Sequence, residues 1–136
     1  MLLLAIALYT ASPYAIDGDT IVVGHNHVRV LQINSPELGT CYADEAKRFT
    51  QEFMKRSTRL TLVADPVLDQ SDAYGRSLRY VFKGNQNLSL ELVRYGYAKP
   101  MFFNGHKGKY ADLIMKYARQ AKAKGLGLWK CKGASQ

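Results

Sequence analysis

Cysteine is scarce in this 136-residue chain, and acid is scarce at its end. The two cysteines, Cys41 and Cys131, belong to no CxxC pair and to no Cys/His cluster of metal spacing, which argues against a structural zinc site. They are either one disulfide, implying an oxidising compartment, or two unrelated thiols. No apolar run approaches the ~20 residues a membrane-spanning helix needs, so stable membrane insertion is not expected. The apolar start, Met1 to Leu8, is too short for that role. It reads as the core of a signal segment within residues 1–15 or as part of a first strand, and no Lys or Arg precedes it. There is no internal repeat and no low-complexity tract. Residues 99–136 hold a single acid, Asp112, against nine Lys and Arg, whereas residues 1–98 balance ten of each sign. The whole formal charge of +8 therefore sits in the last 38 residues. Such a segment attracts polyanions, nucleic acid or an anionic surface, or it is a solvated helix face.

What is present suits one domain with a packed core, since 47% of the residues are apolar. Leu8 to Val30 reads as β-segments punctuated by Asp17-Gly18-Asp19 and Gly24-His25-Asn26. Asp44 to Arg56 carries apolar residues at helical spacing. Leu60 to Ala64 and Leu78 to Phe82 read as strands, and residues 65–75 as a loop. A short helix over Ser89 to Tyr95 stops at Gly96. Tyr97 to Phe103 reads as extended, and Tyr110 to Lys124 as a basic amphipathic helix. Strands come early and helices close the chain, which suits a small Greek-key barrel with helices packed on it.

Asp17-Gly18-Asp19-Thr20 alone is a turn. Arg29 is more informative, because a charge within Val28-Arg29-Val30-Leu31 is costly unless paired or solvated. Asn34-Ser35-Pro36-Glu37 follows, and later Asp72-Ala73-Tyr74-Gly75-Arg76. Together these hold what metal-assisted phosphodiester cleavage needs. Carboxylates, an amide oxygen and turn carbonyls suit a hard cation. A further carboxylate can take a proton from water, and two arginines can grip phosphate oxygens as charge builds. His25, His27 and His106 have no matching third ligand and read as surface histidines. Trp129 reads as a packing anchor for the tail.

The ordered set Ile16-Asp-Gly-Asp-Thr20, Val28-Arg-Val-Leu-Gln-Ile-Asn-Ser-Pro-Glu37, Asp72-Ala-Tyr-Gly-Arg76, Glu91-Leu-Val-Arg-Tyr-Gly-Tyr-Ala98 and Gly127-Leu-Trp129 resembles the staphylococcal-type thermonuclease family. The resemblance covers about residues 10–130 and implies a single domain over residues 8–132. It implies an α+β fold, a five-stranded OB-type barrel with three helices packed on it. It further implies a monomeric, Ca2+-dependent endonuclease acting on DNA and RNA and leaving 3′-phosphate ends. By position, Asp19 and Asn34 resemble metal ligands, and Ser35 resembles a residue ligating through its backbone carbonyl. Asp17 falls in the outer shell, Glu37 resembles the general base, and Arg29 and Arg76 the phosphate-binding pair. Tyr74, Lys99 and Phe102 are the implied substrate contacts, and a Cys41–Cys131 bridge suits the implied fold. Three positions depart from the family pattern. Asn34 stands where an aspartate is usual, which implies weaker metal binding, Ala73 where a lysine is frequent, and Phe102 where a tyrosine is typical. A secreted or periplasmic location is favoured, with a cytoplasmic one left open. The competing expectation is a catalytically silent OB-like module that binds nucleic acid or protein.

Overall fold

The computed structural model describes residues 12–55 and 59–134. The apolar start and Arg56, the last residue of the first helix expected from sequence, lie outside that range.

Strands β1 (Tyr14–Ala15), β2 (Thr20–Val23) and β3 (Asn26–Val30) form an antiparallel meander. The turn between β2 and β3 is the two-residue Gly24-His25, with Gly24 at φ 62°, a backbone conformation that glycine adopts without steric cost. β4 is Ile33–Asn34, and helix α1 is Ala43–Met54. Then come β5 (Thr61–Val63), β6 (Ser77–Lys83), β7 (Gln86–Asn87), helix α2 (Leu88–Arg94), β8 (Lys99–Pro100) and helix α3 (Ala111–Ala123). The main sheet runs β1-β2-β3-β6-β5, with β7 also on β6. β3 and β6 pair in parallel, and the other pairs are antiparallel. β4 pairs with β8 as a separate two-stranded ribbon.

The fold is thus α+β with three helices, in keeping with the OB-type arrangement, but the barrel does not close among the described residues. β4 and β8 are two residues each and spend their ladder on one another. The Val28 to Leu31 run continues as a tight turn at Gln32, whose φ is 69°, and this breaks β3 from β4.

The core lies between the sheet and the helices. Ile21, Val28, Val30 and Val81 come from the strands, and Leu92, Val93 and Ile114 from α2 and α3. On α1 the buried side is Ala43, Ala46, Thr50, Phe53 and Met54, and Phe49 stacks on Tyr97 with ring centroids 4.7 Å apart. Asn87 caps α2 by accepting from the Ser89 N–H at 2.9 Å. The chain turns off α2 at Gly96, two residues past its end, and the Gly96 carbonyl accepts the Leu128 N–H at 2.7 Å. Gly96 (φ 79°) and Gly127 (φ 54°) meet backbone to backbone, and a Cβ on either would strike the other's segment. The tail is therefore held against α2 by a contact only two glycines allow.

Two further ties fix the late loops. Asp65 is buried and accepts from the Tyr80 hydroxyl (2.6 Å), the Lys109 N–H (2.8 Å) and the Val67 N–H (3.1 Å). Burial alone would raise its pKa, but these donors outweigh burial and hold it below the ordinary carboxylate value. Cys41, just ahead of α1, is disulfide-bonded to Cys131 in the tail, 90 residues on.

Candidate active site

The turn between β1 and β2 presents two carboxylates. Asp17 Oδ1 accepts the Asp19 N–H at 3.0 Å, which closes an Asx-turn. The Gly18 carbonyl accepts from Thr50 Oγ1 of α1 at 2.6 Å, pinning the turn to the helix. A Cβ at Gly18 would lie 2.7 Å from Ser35 Cβ and 2.9 Å from Ala46 Cβ, so glycine is required by space here, not by φ. Gly18→Ala should lower the unfolding free energy by about 1–3 kcal/mol, the usual cost of overpacking. An unchanged urea midpoint would count against this.

Asp19 is the centre of the site. Its side chain is 8% exposed, and both its oxygens are engaged. Oδ1 accepts from Thr20 Oγ1 at 3.1 Å, Oδ2 accepts the Ser35 N–H at 2.8 Å, and Arg29 Nη2 lies 3.3 Å from Oδ2. The antiparallel register Thr20↔Arg29 brings acid and base together. Arg29 is itself clamped. Its Nη1 donates to the carbonyls of Val30 (2.8 Å) and Ile33 (2.9 Å), and its Nη2 donates to Asn34 Oδ1 (3.2 Å). Burial lowers the Arg29 pKa, the Asp19 carboxylate opposes that, and the charge of Arg76 adds to the lowering. Burial also pushes Asp17 up to about 6, helped by its neighbour Asp19.

Arg76 enters from the loop before β6. Asp72 Oδ1 accepts the N–H groups of Tyr74 and Arg76, both at 3.0 Å, and Asp72 Oδ2 accepts from Arg76 Nε at 2.6 Å. Burial opposes ionisation of Asp72, but these bonds to Arg76 and to backbone outweigh it and keep its pKa low. The Arg76 guanidinium sits 5.3 Å from the Tyr74 ring centroid.

Arg29 and Arg76 share a cleft of about 500 Å³, whose other walls include Tyr74, Leu78, Met101 and Phe103. One wall is held by Gln32. Its Oε1 accepts the Gly108 N–H at 2.7 Å, its Nε2 donates to the His106 carbonyl at 3.3 Å, and its own carbonyl accepts the Met101 N–H at 2.9 Å. No residue near Gln32 in the chain signals this clamp.

Asp17, Asp19, Asn34 and Ser35 therefore cluster around Arg29, which also lines the cleft, and Arg76 and Tyr74 form part of the cleft wall. Glu37 does not join them directly. It is exposed, its backbone carbonyl accepts from the Thr40 N–H and hydroxyl, and its side chain makes no hydrogen bond or ion pair among the described residues. Two expected substrate contacts are engaged within the protein, although Lys99 pairs with Asn34 across β4 and β8. Lys99 Nζ donates to the Ala134 carbonyl at 3.0 Å and lies over the Trp129 ring, so it anchors the tail. Phe102 packs against the core, and Phe103, 67% exposed, lines the cleft instead. The strand β8 ends at Pro100, and the turn after it sends the second phenylalanine outward.

Among the described residues, no group of three or more His, Cys, Asp or Glu is placed to hold a metal ion. The donors at hand are hard oxygens: the Asp19 carboxylate, Asn34 Oδ1 and the half-buried Asp17 carboxylate. The Ser35 hydroxyl is buried without a hydrogen-bond partner among the described residues. Burial first, and the neighbouring Asp19 second, push the Asp17 pKa to about 6, and a small oxygen-seeking cation held by these groups would offset both costs of ionisation.

Residues 27–131 match the family described as staphylococcal nuclease homologue. The chain belongs to that family. It is 33% identical over 129 residues to the SPbeta prophage-derived endonuclease YokF of Bacillus subtilis, matching 88% of this chain and 43% of that protein. Endonuclease YncB of the same organism is 32% identical over 129 residues, covering 88% of this chain and 60% of YncB. Thermonuclease of Staphylococcus intermedius is 29% identical over 126 residues, covering 85% and 72%. The chain thus spans less than half of YokF. Membership in the staphylococcal nuclease homologue family, with these nuclease-named relatives, supports a nuclease.

Proposed function

We propose that this protein is a metal-dependent endonuclease that hydrolyses phosphodiester bonds of DNA and RNA and leaves 3′-phosphate ends, with Ca2+ as its cation. The observation that carries the reading is a cleft lined by two guanidinium groups, one of which, Arg29, is bound to a cluster of hard oxygens beside it. Asp19, Asn34 and the Ser35 carbonyl would hold the cation, with Asp17 behind them. When bound, it would polarise the phosphate and lower the pKa of nearby water. Arg29 keeps Nη2 directed at the site while its Nη1 is tied to backbone, and Arg76 offers its terminal nitrogens because Asp72 takes only Nε. Both guanidinium groups donate to the phosphate oxygens as negative charge builds. Glu37 accepts a proton from the attacking water, whose oxygen bonds to phosphorus as the bond to the 5′ oxygen breaks. The 5′ oxygen leaves and takes a proton from solvent, Glu37 keeps the one removed from the attacking water, and the phosphate stays on the 3′ side. Tyr74 and Phe103 flank the nucleotide.

Asn34 supplies an amide oxygen in place of a carboxylate, so one negative charge is missing from the ligand set. A catalytically silent nucleic-acid-binding module is the reading this position favours. Incubation with single-stranded DNA and calcium, repeated with a chelator, separates the two. Cleavage that the chelator abolishes is expected, and folded protein that cuts in neither sample would overturn the nuclease reading. Asn34→Asp should lower the calcium concentration at half-maximal activity, and identical titrations would show that the missing charge is immaterial. The Cys41–Cys131 bond supports an oxidising location, secreted or periplasmic. No helix among the described residues is long and apolar enough to cross a membrane. The reading is of a monomer.

A further inference from the structure

Arg76 and Tyr74 are shared by two hollows. Beyond them, away from the apolar cleft, lies a second, more open hollow of about 430 Å³ lined by His25, Asn26, His27, Gly75 and these two residues. Its construction is specific. The β2–β3 hairpin is tied to the start of β6 where Ser77 Oγ donates to Asn26 Oδ1 at 3.0 Å. Side chains alternate along a strand, so His27 falls on the same face of β3 as Arg29. The parallel register pairs Val28 with Ser77 and Arg29 with Leu78, and carrying it back one step sets Arg76 beside His27. Arg29, Arg76 and His27 thus share one face, and His25 follows on the turn. No acid lines this second hollow, and Asp72, the nearest partner of Arg76, binds Nε only.

The geometry points to a subsite for the neighbouring phosphodiester of a single-stranded nucleic acid, the one beyond Arg76 from the nucleotide held in the apolar cleft. Imidazole N–H groups and the Asn26 amide are donors suited to phosphate oxygens, and Arg76 with the exposed Tyr74 ring forms the wall between the two hollows. This rests on the proposed nuclease reading and adds a second contact point, so that chain length, not base identity, sets affinity.

The test compares a ten-nucleotide oligothymidylate with the dinucleotide containing one phosphodiester, both fluorescently labelled. Equilibrium binding in chelator is read by anisotropy for the full chain and for His25→Ala/His27→Ala, whose melting temperature is checked first. Both histidines are exposed, so the fold is expected to hold. The double variant should bind the decamer about three- to tenfold more weakly, the scale of losing one or two exposed hydrogen bonds. It should bind the dinucleotide as the parent does. His27→Glu, which sets an anion in the hollow, should weaken decamer binding further. Equal decamer affinity in parent and double variant, equal losses for both ligands, or no decamer binding by the parent would each overturn the subsite. Cleavage with calcium is scored in parallel. A parent that cuts both substrates while the variant binds the decamer normally leaves the nuclease reading standing without the subsite. A parent that cuts neither, with the binding difference intact, does the reverse.

Discussion

Arg29→Ala should reduce cleavage by about a hundred- to a thousandfold, the loss expected when a fixed donor to developing charge is removed. It should also lower stability by about 3–5 kcal/mol, because a carboxylate that is 8% exposed loses its cation. The Val30 and Ile33 carbonyls lose their donor as well. Arg29→Lys keeps a charge but cannot reach two carbonyls, Asn34 and Asp19 together, so it should remain well below the parent. The two losses can be separated. Asp19→Asn combined with Arg29→Ala removes the stranded charge and should recover much of the stability while activity stays low. Urea unfolding and initial cleavage rates read these outcomes. An Arg29→Ala protein with parental values of both would refute the account given to Arg29.

Reducing the Cys41–Cys131 bond, or replacing both residues by serine, should lower the melting temperature by on the order of 10–20 °C. A bridge across 90 residues removes loop-closure entropy from the unfolded chain worth about 4 kcal/mol. For a domain of this length each kcal/mol shifts the midpoint by several degrees. The effect belongs to the unfolded chain, so the reduced protein should still cut at low temperature. Calorimetry with and without reductant makes the comparison. An unchanged midpoint would mean that the reduced chain keeps the tail docked, through the Gly96–Gly127 contact and the Lys99–Ala134 bond, even when unfolded elsewhere.

The parts legible in sequence are those with a local physical signature. Helices α1 and α3 announced themselves through apolar spacing, and α2 through the glycine that stops it. Arg29 was legible because a charge in an apolar strand demands a partner, and the partner, Asp19, lies across a hairpin whose turn could be read. Other parts depend on distant contacts. Gln32 grips residues 74 and 76 positions away, and nothing around it in the chain signals that. Lys99 had the right charge and neighbourhood for substrate, yet the tail carbonyl and Trp129 claim it. Phe102 and Phe103 are adjacent and alike, so which one faces the cleft depends on the turn after β8. Barrel closure was expected from strand order, but strands as short as β4 and β8 pair with each other, which strand order does not reveal.

Gln32 also separates two properties that usually vary together. Its amide is neutral and buried, with donor and acceptor both used against the opposite wall. Neither protonation nor dissolved ions compete effectively for such bonds. The gap between the walls is thus a fixed gauge, while the pull on a polyanion weakens as salt screens the basic surface. For the proposed nuclease, a change of buffer should alter how often a strand arrives, not how wide a strand is admitted.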